Sequence, residues 1–165
     1  MLITSNPYLR KIKCWLFALP TGKLIALGLI GSYVAAFPLL LAGFFMKTWQ
    51  SLPDPNFGKH DVIKMIVLGC IAAPLIETAV NQWGCLRLLK KLRCKTGIAI
   101  GISALLFGLA HNYSGPYVIF GILAGVVLAT VFVIEDARNG RPFLATLAVH
   151  VLRNGITAVI MLFVL

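Results

Sequence analysis

Long apolar runs, separated by short polar and basic connections, make up most of this chain. Five runs read as helical membrane spans, at residues 24–46, 62–89, 97–111, 117–134 and 143–165. A span needs about 20 predominantly apolar residues, so the third and fourth runs are short. The pattern predicts an all-α polytopic membrane bundle of about five spans.

The N-terminal segment is shorter and more basic than these runs. Three basic residues precede the apolar stretch 14–19, which stops at Pro20. Tyr8 and Trp15 are residue types that favour the headgroup level of a membrane. We therefore expect an interfacial amphipathic helix within residues 1–22, a cytoplasmic segment, and a transmembrane core formed by residues 23–165.

Composition excludes an ordinary soluble domain. Of the 165 residues, 59% are hydrophobic and only 12% are charged, and the mean hydropathy is +0.92. A soluble domain carries about 25% charged residues. The net charge of +10 could indicate nucleic-acid binding in a soluble protein. Here the basic residues cluster beside the apolar runs, so we expect the lipid bilayer as a partner and no nucleic acid.

Basic residues also predict the orientation. One side of the predicted membrane bundle collects three groups of basic residues, and the other side has Lys47, Lys59 and Lys64. Cytoplasmic loops carry the excess of lysine and arginine, so we expect a multi-pass protein of the inner (plasma) membrane with its N-terminus in the cytoplasm and its C-terminus outside. The three groups are Arg10, Lys11, Lys13 and Lys23; Arg87, Lys90, Lys91, Arg93 and Lys95; and Arg138 and Arg141.

Polar residues inside the runs are the candidates for chemistry. Glu77, His111, His150 and Asn154 lie in three different predicted spans. An ionisable group at membrane depth costs at least about 2.5–3.5 kcal/mol, which favours a functional reason for its presence. A rise of about 1.5 Å per residue puts all four at about 11–21 Å from the cytoplasmic side. The sequence therefore predicts one buried polar site shared by three helices.

Spacing within the runs supports this site. Residues four apart share a helix face, and a proline in the second run is expected to kink the helix near Glu77. Small-residue spacings in the third and fourth runs favour close helix approach. The pairs are Glu77 with Asn81, Thr78 with Gln82, Phe107 with His111, His150 with Asn154, Gly97 with Gly101 and Gly121 with Gly125; the proline is Pro74.

Three of these segments resemble the motifs of the CAAX prenyl endopeptidase and bacteriocin-processing family of intramembrane proteases, also called Abi or CPBP proteins. The family motifs are E-E-x-x-x-R, F-x-x-x-H and H-x-x-x-N. Here they read Glu77-Thr-Ala-Val-Asn-Gln82, Phe107-Gly-Leu-Ala-His111 and His150-Val-Leu-Arg-Asn154. The resemblance extends over residues 66–160, and it implies a protease-like core.

The first motif departs from the family pattern. Thr78 and Gln82 replace a glutamate and an arginine, and we expect them to act as a neutral hydrogen-bonding pair instead of an ion pair. The resemblance implies that Glu77 is a general base on a water positioned by His111. It implies that His150 and Asn154 stabilise the oxyanion, while Thr78, Asn81 and Gln82 support the site.

A metal is the main chemical alternative. Glu77, His111 and His150 also form a ligand set of the kind that binds catalytic zinc, although no H-E-x-x-H spacing is present. The resemblance favours a glutamate mechanism without a metal, so no cofactor is expected. The sequence leaves this choice open.

Other functions remain open at this stage. The expected activity is hydrolysis of a peptide bond in a membrane-associated protein or peptide. A non-catalytic relative acting in bacteriocin immunity or protein binding is the main alternative, because the first motif lacks two charges. A haem protein with His111 and His150 as axial ligands is a third. Arg153 is expected to pair with Glu77 or Glu135 or to reach an interface, and Glu135 and Asp136 to form a solvated cluster.

Overall fold

Six helices form the protein, as described by a computed structural model for residues 7–45 and 62–163. No strand occurs within these residues, so the all-α prediction is confirmed there. In chain order the helices are α1 Pro7–Ala18, α2 Thr21–Phe45, α3 Val62–Lys91, α4 Thr96–Leu109, α5 Gly115–Ala137 and α6 Pro142–Phe163.

Four of these helices, α2, α3, α5 and α6, are long and apolar enough to cross a membrane. The predicted bundle is confirmed, but within the described residues it has four candidate spans where about five were predicted. Helix α4 has 14 residues and is about 21 Å long, which is less than the hydrocarbon thickness of about 30 Å. The predicted fourth span is not short, because α5 has 23 residues. The predicted span ends at residues 46 and 164–165 lie outside the described residues.

Apolar side chains cover the outer surface of the bundle. Val34, Val80, Val126 and Val159, one from each candidate span, are all exposed. Soluble monomers rarely leave large contiguous apolar surfaces in water. The chain is therefore a multi-pass membrane protein.

Local sequence explains where several helices begin and end. Helix α1 ends two residues before Pro20, and its Tyr8 and Trp15 are exposed as an interfacial helix requires. Ser114 caps α5, since its hydroxyl accepts a hydrogen bond from the Tyr117 backbone N–H. Helix α6 starts with Pro142, whose missing N–H is unneeded in a first turn.

Helix α3 contains two segments of wide π-type turns, Met65–Ala72 and Thr78–Gly84. Each has one backbone carbonyl that accepts a side-chain hydrogen bond from a neighbouring helix. Asn154 Nδ2 donates to Gly69 O at 3.0 Å, and Ser103 Oγ donates to Asn81 O at 2.6 Å. Insertion of such groups is a known cause of local helix widening. Glu77 ends the short α-helical segment between the two.

Helix α5 is the centre of the bundle and packs against α2, α4 and α6. A cluster of buried apolar residues joins these four helices: Leu24, Phe107, Ala124, Leu128, Val131, Ile134, Ala145 and Val149. This core fixes α4 and α6 on either side of α5, and these two helices carry the histidine motifs.

The three basic groups lie at the same end of the bundle. Lys90 Nζ is 2.6 Å from Asp136 Oδ2, which joins the α3 and α5 ends. Arg138 donates to the Leu19 carbonyl and to the Glu135 carboxylate, which joins the α5 end to the start of α2. The prediction that Glu135 is solvated is wrong, because its side chain is fully buried by these contacts. Lys47 and Lys59 lie outside the described residues.

Glycines bring α4 and α5 together, although only part of the prediction is confirmed. A Cβ added to Gly121 would lie 2.9 Å from Gly108 Cα, and one added to Gly125 would lie 2.9 Å from Ala104 Cα. Gly97 and Gly101 have nothing within 4 Å of an added Cβ, so the predicted close approach there is wrong. The partner glycine on α4 is Gly108, which directly follows Phe107 and precedes His111 by three residues.

Gly125→Ala is expected to lower the free energy of unfolding by about 1–3 kcal/mol, because the new methyl group meets backbone that cannot move without separating α4 from α5. Gly101→Ala is the matched control, since its methyl meets open space and alanine favours a helix. Thermal unfolding in a neutral detergent measures both. Equal melting temperatures for the two variants would contradict this packing.

Candidate active site

Glu77 carries the acidic group of the site. Its carboxylate faces the imidazoles of His111 and His150, at the level where α3 changes from α to π-type turns. The side chain keeps 26% of its surface exposed, so it is held by the helices but remains open to a ligand or water.

His111 lies in the turn that follows α4. Its Nδ1 is 2.7 Å from the Phe107 carbonyl oxygen, one helical turn back. A carbonyl oxygen only accepts, so Nδ1 carries a proton. The other ring nitrogen, Nε2, lies 3.8 Å from Glu77 Oε2. The F-x-x-x-H spacing therefore has a structural reason: the backbone carbonyl four positions before His111 orients the imidazole.

Two acceptors face each other when His111 is neutral. Nε2 then presents a lone pair towards the Glu77 carboxylate, and the 3.8 Å separation is too long for a direct hydrogen bond. Such a pair is stabilised by a proton or by a water molecule that donates to both. The geometry therefore suits a water held between two bases.

His150 faces the same carboxylate oxygen as His111 and is almost completely buried. Its Nε2 is 3.5 Å from Glu77 Oε2, and its Nδ1 is 3.2 Å from Thr78 Oγ1. If the Thr78 hydroxyl donates, Nε2 carries the proton; if it accepts, Nε2 is bare. Thr78 therefore sets which group His150 presents to the site.

Aromatic rings form the wall behind the imidazoles. The Phe107 ring centroid is 4.6 Å from that of His111 and 5.4 Å from that of His150. Tyr117, in the first turn of α5, lies 5.7 Å from His111. Apolar surroundings strengthen the electrostatic interactions of the polar groups they enclose.

The structure brings together Glu77, His111 and His150, as the sequence predicted. Asn154 donates to the Gly69 carbonyl, which lies eight residues, or about 12 Å along α3, before Glu77. Asn81 contributes its backbone carbonyl to Ser103.

The expected hydrogen-bonding pair of Thr78 and Gln82 is wrong. Thr78 bonds to His150 instead, across the α3–α6 interface. Gln82 is fully buried, and neither its Oε1 nor its Nε2 has a hydrogen-bond partner among the described residues. The wide turns that begin at Thr78 change which positions of α3 lie side by side, and a regular helical spacing does not anticipate this.

The donor types of Glu77, His111 and His150 suit zinc, but their arrangement does not close around an ion. Among residues 7–45 and 62–163, no group of three or more such side chains is placed to hold a metal.

Two polar contributors were not found from the sequence. Ser103 lies four residues before Phe107 on α4 and fixes the carbonyl of Asn81. Tyr33 on α2 donates to the Arg153 carbonyl at 3.0 Å and lies 3.3 Å from Thr157 Oγ1. Both are hydroxyl-bearing residues in apolar helices, a signal that does not by itself distinguish them from ordinary helix contacts.

Fold and site together define a helical membrane protein with a glutamate and two histidines held on separate helices. The sequence matches the family described as type II CAAX prenyl endopeptidase Rce1-like over residues 59–156. This match covers more than half of the chain and all three motifs, so the chain belongs to that family of membrane peptidases. Comparison with curated proteins and with solved structures gave no match.

Thr78→Val and Thr146→Val form a matched pair that tests the His150 contact. Both threonines are fully buried, but only Thr78 has a partner; the Thr146 hydroxyl has none among the described residues. Thr78→Val is expected to cost about 1–2 kcal/mol of unfolding free energy, and Thr146→Val to be neutral or stabilising. Thermal unfolding in detergent compares them. A larger loss from Thr146→Val would contradict the assigned contact.

Proposed function

We propose that the chain is an intramembrane endopeptidase that hydrolyses a peptide bond in a membrane-associated protein or peptide. One observation carries the proposal: a single carboxylate oxygen, Glu77 Oε2, faces Nε2 of His111 at 3.8 Å and Nε2 of His150 at 3.5 Å. Membership of the peptidase family supports it.

In the proposed reaction, Glu77 and His111 hold the attacking water between them. Glu77 takes a proton from this water as the oxygen of the water attacks the carbonyl carbon of the substrate. The same proton then passes to the nitrogen of the departing amine as the C–N bond breaks. The Phe107 carbonyl keeps His111 oriented with its Nε2 lone pair towards the water.

His150 and Asn154 are proposed to stabilise the oxyanion. Donation from the Thr78 hydroxyl to Nδ1 gives His150 an Nε2–H, a donor that points into the site. Asn154 has two amide hydrogens, of which one is used on the Gly69 carbonyl, so the second is free to donate. Thr78, which stands where the family motif has a glutamate, thus orients the histidine.

The proposed reaction uses the tautomer in which the Thr78 hydroxyl donates to His150, and this tautomer is incompatible with a metal at Nε2. A protonated Nε2 has no lone pair with which to bind a cation, so a metal site would need Thr78 to accept from His150 instead. We therefore propose a glutamate peptidase with no cofactor.

We also propose that the end of the bundle with the basic groups faces the cytoplasm. The contacts of Lys90 and Arg138 gather these groups at one end, and the bias of lysine and arginine then puts the N-terminus inside and the C-terminus outside. The membrane is the inner (plasma) membrane.

A non-catalytic role in bacteriocin immunity or protein binding is the second candidate. Its motivation is that the Asn154 amide is engaged with the Gly69 carbonyl and that the first motif lacks its second glutamate and its arginine. Immunity conferred equally by the wild type and by Glu77→Gln would favour this candidate over the peptidase.

Glu77→Gln is expected to lower the rate of cleavage by about 10²–10⁴-fold, because an amide cannot take a proton from water. Purified protein in neutral detergent would be assayed with farnesylated C-terminal peptides and single-span peptides, with and without EDTA. Asp136→Asn is the control, since that carboxylate lies in the basic end and not in the site.

Activity in Asp136→Asn with EDTA present, and its loss in Glu77→Gln, is the expected result. Cleavage by Glu77→Gln at the wild-type rate would contradict the glutamate mechanism. Loss of activity in EDTA that returns with added Zn²⁺ would contradict the absence of a metal.

A further inference from the structure

Arg153 is a basic residue near the middle of a membrane-spanning helix, and no described carboxylate pairs with it. It lies near the centre of the 22-residue helix α6 and is partly buried. It forms no ion pair with any described carboxylate. Glu77 and Glu135, the two partners considered from the sequence, are among these carboxylates. Its Nε is buried and has no hydrogen-bond partner among the described residues.

The contacts that Arg153 does make hold it in place without neutralising it. Its guanidinium lies over the Phe120 ring, 4.7 Å from the ring centroid. Its backbone carbonyl accepts hydrogen bonds from the Tyr33 and Thr157 hydroxyls. A cation on an aromatic face is stabilised, and the planar donors of the guanidinium match the two oxygens of a carboxylate.

The charge of Arg153 is not accommodated by extension of its side chain to the membrane surface. Arg153 is about 15 Å from either end of α6 along the helix axis, which is further than an arginine side chain extends. A charged residue this deep is usually paired or directed to a polar cavity. The polar groups beside Arg153 on α6, His150 and Asn154, belong to the candidate active site.

Arg153 borders that site directly. It follows His150 by three residues and precedes Asn154, so it is displaced by about 4.5 Å along α6 from His150. Tyr117 lies within electrostatic range of both Arg153 and Glu77, and it also contacts the His111 ring. Arg153 and Glu77 are therefore both close to Tyr117.

We propose that Arg153 binds a carboxylate of the substrate, carried by residues close to the scissile bond. That the anion belongs to a substrate rests on the proposed peptidase function. The anion site itself rests on the contacts of Arg153. Two coplanar N–H groups suit a carboxylate, and Phe120 holds the guanidinium over its ring. An extended chain advances about 3.3–3.6 Å per residue, so the carboxylate belongs within a few residues of the cleaved bond.

The first test measures anion binding without catalysis. Decanoate and decanamide, which differ only in charge at the head, are titrated into Glu77→Gln in neutral detergent, and the melting temperature is followed. Decanoate is expected to bind about ten-fold more tightly than decanamide, the size of one charge-assisted hydrogen bond. Arg153→Gln added to the same protein should remove the difference, and Arg87→Gln, an exposed cation away from the site, should keep it.

Equal binding of the two probes, or a difference that persists in Arg153→Gln, would overturn the anion site. Arg153→Lys keeps the cation but not the paired donors, and it is expected to retain part of the preference. This variant also guards against a result caused by misfolding of Arg153→Gln.

The second test connects the anion site to cleavage and separates two sources of carboxylate. Four farnesylated peptides are compared. One has a free C-terminus and one has an amidated C-terminus. The other two are amidated and end in Asp or in Asn. Preference for the free acid over its amide assigns the terminal carboxylate, and preference for Asp over Asn assigns a side chain.

In Arg153→Gln the ratio of acid to amide cleavage is expected to fall about ten-fold, whereas a purely structural role would lower both rates equally. An unchanged ratio in a variant that still cleaves would overturn this role of Arg153 and leave the peptidase intact. Carboxylate binding by Arg153 together with no cleavage by the wild type would instead count against the proposed peptidase.

Discussion

The close approach of α4 and α5 is the constraint on which the site depends. Helix α4 is too short to cross the membrane, so its position comes from packing and not from lipid. Gly121 and Gly125 allow the two backbones to meet, and an added Cβ at Gly121 would already lie 3.4 Å from the His111 side chain. The same contact that joins the helices therefore fixes the height of Phe107 and His111.

Helix α3 solves a different problem, the placement of a carboxylate in an apolar bundle. Wide turns on both sides of Glu77 leave backbone carbonyls that Asn154 and Ser103 satisfy from the neighbouring helices. These hydrogen bonds lock α3 against α4 and α6 around the glutamate. Polar residues inside the bundle therefore serve both helix association and the candidate chemistry, and Asn154 has a contact of the first kind.

Much of the fold and the centre of the site could be predicted from the sequence. Apolar runs identified the helices, and the cost of ionisable groups in a membrane singled out Glu77, His111 and His150. The shortness of α4 was visible in the third apolar run, but the fourth run was also predicted to be short, whereas α5 continues beyond its apolar run to 23 residues. The partner of Thr78 was missed because spacing assumes regular turns, while α3 has π-type turns at that point.

The central claim is that Glu77 and His111 act on one water. Single-turnover cleavage, with enzyme in excess, would compare Glu77→Gln, His111→Gln and the double variant. Residues that serve the same step are non-additive, so the double variant should be no slower than the slower single variant. Losses that multiply, with the double variant slower by the product of the two factors, would show independent roles and contradict the account.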